Sequence, residues 1–505
     1  MPLFLNAADA VRLIPDNAIL ASSGFVGCGQ PEELAAALEL RFLETQTPRN
    51  LTLIFAAGQG DGLNRGLNHL GHAGLLKRVI GGHWNLVPKL ARLALEGKIE
   101  AYNFPQGVIS KLFREVASGN PGMLSRVGPG TFVDPQFGGG KIGSLTEEDL
   151  VDRITMDGVD MLWYRAPRVN AALLRGTASD SQGNISMENE AITGEALAIA
   201  QAAHRNGGPV IVQVEHIAPD FSRDPKSIRI PGIFVDAVVV ASPENHWQTY
   251  DGAMNEHYVR QGSNTGNDLK RLPPGVRRWI SARCLAELHD GDVANLGIGM
   301  AEGIASLACE AGRLENITLT VESGAIGGIP SGGLSFGASF HPEAIIDQPS
   351  MFDFYDGGGL DVAFLSMAEC DALGNVNVSR YGGRMPGIGG FMNIAHTAKR
   401  VVFLGTFTVG VEAEITEGRL RIGKEGTARK FVERVEQISF NAKAALASGQ
   451  KILYVTERAV FRLTTAGLEL VELADGVDLE RDVLAQMGFR SAISAALKTL
   501  KSNYY

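Results

Sequence analysis

Glu322 closes an apolar run, Asn316-Ile-Thr-Leu-Thr-Val321, and is followed at once by Ser-Gly-Ala-Ile-Gly-Gly328. The run reads as a buried strand, so the carboxylate leaves the carboxyl end of that strand. In open α/β sheets this is the crevice where ligands bind. Two chemistries fit the position. One is a helix N-cap or first-turn carboxylate, favoured there by backbone amides. The other is a nucleophile, because a carboxylate with the ordinary pKa of ~4.3 is ionised at neutral pH and needs no activating base. Attack on a thioester would give a mixed anhydride, which keeps the acyl group activated. Such a reaction needs oxyanion donors, each worth roughly 3–4 kcal/mol. The turn Gly387-Ile-Gly-Gly-Phe-Met-Asn393 offers bare backbone amides, and Gln59 offers a side-chain amide from another glycine turn. A ligand-free tight turn and an exposed loop amide are the plain alternatives for these two.

The elements that must position these groups occur twice. Asn50-Leu-Thr-Leu-Ile-Phe-Ala56 aligns with the Glu322 segment at an offset of 266, with Ala56 at the position of the acid. Asp16 to Gly24 and Asp290 to Gly297 each read as turn, strand and glycine loop, followed by helical patterns from Pro31 and Ala301. Asp180-Ser-Gln-Gly-Asn-Ile185 aligns with Asp371-Ala-Leu-Gly-Asn-Val376 at an offset of 191. The drop from 266 to 191 gives the first half a surplus of 75 residues, which includes His83-Trp84, a helical stretch from Leu86 to Gly97 and the Gly138–Lys141 loop. Apolar strands alternating with helical segments predict largely parallel α/β sheets. The expected fold is two similar open α/β domains with the active site between them. Residues 1–255 form the first, 256–273 a linker and 274–505 the second.

Of 505 residues, 61 are glycine, about 12% against a typical ~7%, and they fall mainly in turns after apolar runs. The net charge is −10 with no dense basic stripe, which argues against nucleic-acid binding. The four cysteines and ten histidines lack metal-ligand spacing and read as structural, so no metal is expected. No charged-then-apolar signal pattern and no apolar run near ~18 residues is found, so a cytoplasmic protein with no membrane association is expected. The segment from Ser22 to Gly29 has the glycines of a phosphate loop without its Lys-Ser/Thr ending, and Gly24, Gly27 and Gly29 miss the dinucleotide spacing. Asn375 and Asn377 read as turn formers more readily than as ligands. The end of the chain reads as a hairpin from Lys451 to Arg462, a strand to Glu472, and an apolar-then-helical segment from Gly476 to Met487.

Three segments in order, Ser23-Gly-Phe-Val-Gly-Cys-Gly-Gln-Pro-Glu32, Glu322 to Gly328 and Gly387 to Asn393, resemble the signature segments of family I coenzyme A transferases. Similarity to the single-chain acetate and propionate branch runs nearly the whole chain. The resemblance implies a transferase that moves CoA from a short-chain acyl-CoA to a free carboxylate through a glutamyl–CoA thioester on Glu322. Gly390 and Gln59 would then be the oxyanion donors. Expected contacts to CoA are Gly24, Gly27, Gly29, Gly297, Gly299, Gly387, Gly389, Asn375 and Asn377. No tightly bound cofactor is implied; coenzyme A is the carried group. The partners would be acyl-CoA, short-chain carboxylates and further copies of the chain in a homo-oligomer. An acyl-CoA hydrolase on this fold, or a non-catalytic ligand-binding module, are the competing readings. Two positions depart from related ketoacid transferases: Ala56-Ala-Gly-Gln59 replaces an asparagine-rich turn, and Asn393 stands where those enzymes have Asp.

Overall fold

The computed structural model describes residues 1–218, 224–262 and 271–500. Two sheets dominate it. In the first half, five parallel strands lie in the order Ala237–Val240, Val210–Val214, Ala171–Arg175, Ile19–Ser22, Leu51–Phe55. In the second half the order is Lys451–Val455, Arg400–Leu404, Val362–Ser366, Val293–Leu296, Thr318–Thr320, again all parallel. Each strand occupies the place its sequence twin occupies in the other sheet. The duplication therefore holds at the level of topology. All five residues of Ala171–Arg175 and of Val210–Val214 are buried, as strands covered on both faces must be.

The halves diverge after the strand that carries Ala56 or Glu322. In the first, two further parallel strands follow, Leu76–Gly81 and Glu100–Asn103, with the helix Pro88–Leu95 between them. In the second, Thr318–Thr320 turns straight back into Ala325–Ile326, which pairs with it antiparallel. Glu322 thus sits in a hairpin turn closed by Gly324 N–H to Val321 O (3.0 Å) and Val321 N–H to Ala325 O (2.9 Å). No helix begins there, so the capping reading of this acid is overturned.

The hairpin Lys451–Val455 to Ala459–Thr464 forms as expected, and Gly467–Ala474 extends it. The segment beyond Gly476 makes only two short helical turns, Leu479–Val483 and Leu484–Gln486. The described chain then adds the strand Ala492–Leu500 beside Gly467–Ala474, which its alanine-rich sequence did not suggest. Residues 263–270 of the expected linker lie outside the described residues. No helix among the described residues is long and apolar enough to cross a membrane.

The halves are stitched together by the glycine turn of the second. Trp84 N–H and Asn85 N–H donate to Pro386 O (2.7 and 3.0 Å), Gly389 N–H donates to Gly82 O (2.9 Å), and Gln106 N–H donates to Gly389 O (2.9 Å). Gly387 has φ +77°, and a Cβ there would lie 2.6 Å from Trp84 Cδ1, so only glycine lets the segments approach this closely. Asn393 locks the same seam: its Oδ1 accepts Gly107 N–H (3.1 Å) and its Nδ2 donates to Asp356 (3.0 Å). An aspartate at 393 would place a second carboxylate against Asp356. The amide is therefore what this neighbourhood requires.

Candidate active site

A cavity of about 190 Å³ lies on this seam, at the carboxyl ends of both parallel sheets. Its apolar wall includes Phe25, Leu86, Phe336, Leu365, Phe391 and Ile394, and its polar groups include His83, Gln106, Asn295, Ser366 and Glu322. The first half contributes the Phe25–Val26 turn, Gly58, His83 and Gln106; the second contributes the nucleophile candidate and the turn Pro386–Phe391.

Glu322 is 7% exposed. Asn295, on the neighbouring strand, donates its Nδ2 to Glu322 Oε2 at 3.3 Å, and Tyr355 O–H donates to Thr320 Oγ1 (2.8 Å) just below. Burial pushes the Glu322 carboxyl above its ordinary value, opposed by its own backbone N–H and by Asn295. The acid therefore departs from the solvated pKa assumed for it on sequence grounds. A carboxylate must be ionised to attack, so its reactivity falls as pH drops through this raised value. Single-turnover formation of a covalent adduct should show an acid limb displaced above the solvated range; a midpoint at or below about 4.3 would contradict the burial argument.

The glycine turn separates amides that are already spent from one that is not. Gly387 N–H is committed to Ser379 O (3.1 Å) and Gly389 N–H to Gly82 O (2.9 Å). Gly390 N–H has no acceptor among the described residues, and a Cβ on Gly390 would lie 3.3 Å from Glu322 Cγ. Of the three candidate glycines, Gly390 is the one with an uncommitted donor beside the acid.

Gln59 needs correction. It is fully buried, outside the cavity wall, and its Nε2 donates to Ser22 O (2.9 Å). Gln59 braces the first-half turn, while its neighbour Gly58 lines the cavity. Asn375 is also corrected. Asp371 accepts from Leu373 N–H, Asn375 N–H and Asn375 Nδ2, and Asp180 accepts from Gln182 N–H, Asn184 N–H and Asn184 Nδ2 in the twin turn. The same turn in both halves marks a structural device. Asn377 likewise spends its Nδ2 on Glu369 (2.8 Å) and Arg380 O (2.5 Å). Among the other glycines, Gly297 lines the cavity, whereas Gly24, Gly27, Gly29 and Gly299 do not; the first three build the turn that projects Phe25 and Val26 into it.

His83 and Gln106 were not singled out for chemistry by sequence, yet both face the acid's cavity. Burial pushes the His83 imidazole down to about 4, so it is neutral at physiological pH. A usable signal existed for Asn295 alone: an asparagine in an otherwise apolar strand, Val293–Leu296, buried on the sheet.

Two α/β units thus meet at a small, largely apolar cavity that holds a buried carboxylate and, beside it, a glycine whose N–H has no acceptor among the described residues. The Coenzyme A transferase family model matches residues 4–241. The chain is 43% identical to the caffeate CoA-transferase of Acetobacterium woodii, covering all of this chain and 98% of that protein. It is 43% identical to the acetate CoA-transferase YdiF of Escherichia coli K12, covering 99% of this chain and 94% of that one. The solved structure of the Escherichia coli O157:H7 acyl-CoA transferase YdiF, a thioester complex with CoA, superposes with a TM-score of 0.94 at 41% identity, over all of this chain and 96% of that one. This chain belongs to the family I coenzyme A transferases, and it is a CoA-transferase enzyme that carries coenzyme A as its transferred group.

Proposed function

We propose that this enzyme moves CoA from a short-chain acyl-CoA to a free carboxylate such as acetate or propionate, with Glu322 as the covalent carrier. The observation that carries the reading is the pairing of Glu322 with the uncommitted Gly390 amide inside a cavity of about 190 Å³. That volume is below the roughly 300–1,000 Å³ of drug-sized ligand sites, which favours a small acyl group. An acetate CoA-transferase among the relatives supports the same substrate class.

The steps balance without further reagents. The Glu322 carboxylate attacks the thioester carbonyl, the C–S bond breaks, and an acyl-glutamyl anhydride and CoA thiolate form. The thiolate attacks the glutamyl carbonyl, the first carboxylate leaves, and Glu322 carries CoA as a thioester. The second carboxylate then attacks that glutamyl carbonyl and releases the thiolate. Its attack on the new acyl carbonyl gives product and restores Glu322. Gly390 N–H stabilises the oxyanion in these additions. Neutral His83 adds no charge that would trap a carboxylate. The two units of this machine are residues 1–255 and 274–505, joined by 256–273, a division supported by the shared strand order.

Double-reciprocal plots with an acyl-CoA and an acid should be parallel, because the halves of the reaction share only the covalent enzyme. With acyl-CoA alone, one CoA equivalent per chain should be trapped, since Ala56 replaces the acid in the other half. Intersecting lines, or two equivalents, would exclude the single-carrier scheme.

A further inference from the structure

A second carboxylate is buried close to this site and takes no part in the steps above. Glu195 opens the helix Ala196–Arg205 in the first half and is 1% exposed. Its Oε2 accepts from Ser23 Oγ (3.1 Å), and its own N–H donates back to Ser23 Oγ (3.2 Å). Its Oε1 accepts from Gln348 Nε2 at 2.6 Å, across the seam between the halves. Gln348 Oε1 in turn accepts from Gln106 Nε2 at 3.2 Å, which returns to the first half. Gln106 lines the reaction cavity with Glu322 and Gly389.

The polarity of this chain follows from its first member. An ionised carboxylate only accepts, so the near end of Gln348 must be its NH₂ and the far end its carbonyl. The near end of Gln106 must then be its NH₂. One Gln106 N–H is spent on Gln348, and the carbonyl oxygen with the second N–H remains for the cavity. We propose that Glu195 and Gln348 are positioning residues, which hold the Gln106 amide in this orientation while Glu195 is ionised and release it to the opposite one when Glu195 takes up a proton.

Protonation on Oε1 places two donors face to face, and turning both amides restores the chain with Gln106 showing only N–H groups to the cavity. The proton comes from solvent through a second cavity of about 380 Å³, which Glu195 lines together with Thr193, Arg229 and Asp347. Burial pushes Glu195 up to about 7, and the Asp347 carboxylate adds to that shift. Asp347 is itself paired with Arg114 at 2.6 Å. The inference rests on the proposed function only in taking the Glu322 cavity as the reaction site.

The test uses the full chain labelled with ¹⁵N-glutamine. Gln106→Met and Gln348→Met assign the two side-chain amides, and pH is varied from about 5.5 to 8.5. Both amide signals should titrate together with one midpoint, and Glu195→Gln should abolish the titration. Gln348→Met should uncouple Gln106 from it. Amides that do not shift, or that still titrate in Glu195→Gln, would overturn the relay. In turnover, KM for the acceptor acid should rise roughly three- to tenfold across the same range, the worth of one hydrogen bond exchanged for an oxygen facing the carboxylate. Glu195→Gln should flatten that profile; an unchanged slope would count against the relay. The spectroscopic arm needs no catalysis, so a chain that failed to exchange CoA would refute the transferase reading while the relay was still being judged.

Discussion

Glu322→Asp is expected to slow CoA transfer at least about a hundredfold, and Glu322→Ala to abolish it. The charge survives in Asp, but the nucleophile retracts by one methylene, over roughly 1 Å, from a thioester carbon it must approach to about 3–3.5 Å. The surroundings prevent compensation. The hairpin hydrogen bonds between Val321, Gly324 and Ala325 fix the backbone, and Asn295 on the adjoining strand fixes the carboxylate. Exchange of CoA from acetyl-CoA to a panel of acids measures the rate, and peptide mapping of the trapped adduct locates the carrier. An aspartate variant within a few-fold of wild type, or an adduct on another residue, would remove Glu322 from its role.

Gly390→Ala is expected to lower kcat by roughly ten- to a hundredfold, with a melting temperature within a few degrees of wild type. The backbone at 390 has φ −78°, which alanine adopts freely, so the fold tolerates the change. The new methyl would lie 3.3 Å from Glu322 Cγ and 3.4 Å from Phe352 and Ile394, tight enough to displace the acid or the donor by tenths of an ångström. Full activity in this variant would mean that the methyl displaces neither the acid nor the amide, and that the packing of Gly390 against Glu322 is not critical.

Much of this architecture could be read in the chain before folding. Apolar strands of about five residues, each followed by a glycine turn and a helical pattern, specify buried parallel sheets, and their repetition at ordered offsets predicts twin topology. Glu322 stood out because an acid at the end of such a run has no packing role. His83 and Gln106 were hidden for a physical reason: they reach the cavity through the seam between halves, and no local pattern encodes that contact. Gln59 misled because its turn is the twin of the acid's turn, yet strand order alone does not say which way a side chain points. Asn375 read more readily as a turn former than as a ligand, and its turn with Asp371 matches that reading, although a turn asparagine and a ligand asparagine share the same sequence setting. In both, the decisive information was a hydrogen-bond partner.

The two strands and helices that the first half inserts after Phe55 have a meaning beyond size. They deliver His83 and Gln106 to the wall, whereas the second half turns back at the matching place into short antiparallel strands. The cavity is thus shared unequally: the second half supplies the buried acid and most of the wall, and the first closes it with Phe25, Val26, Gly58, His83, Leu86 and Gln106. Neither copy could regain independence without inventing what its sibling holds, so the two are bound to a common fate. Carrying both on one polypeptide keeps the reactive group and its chamber at a high effective concentration, set by tether length rather than by how much protein a cell makes.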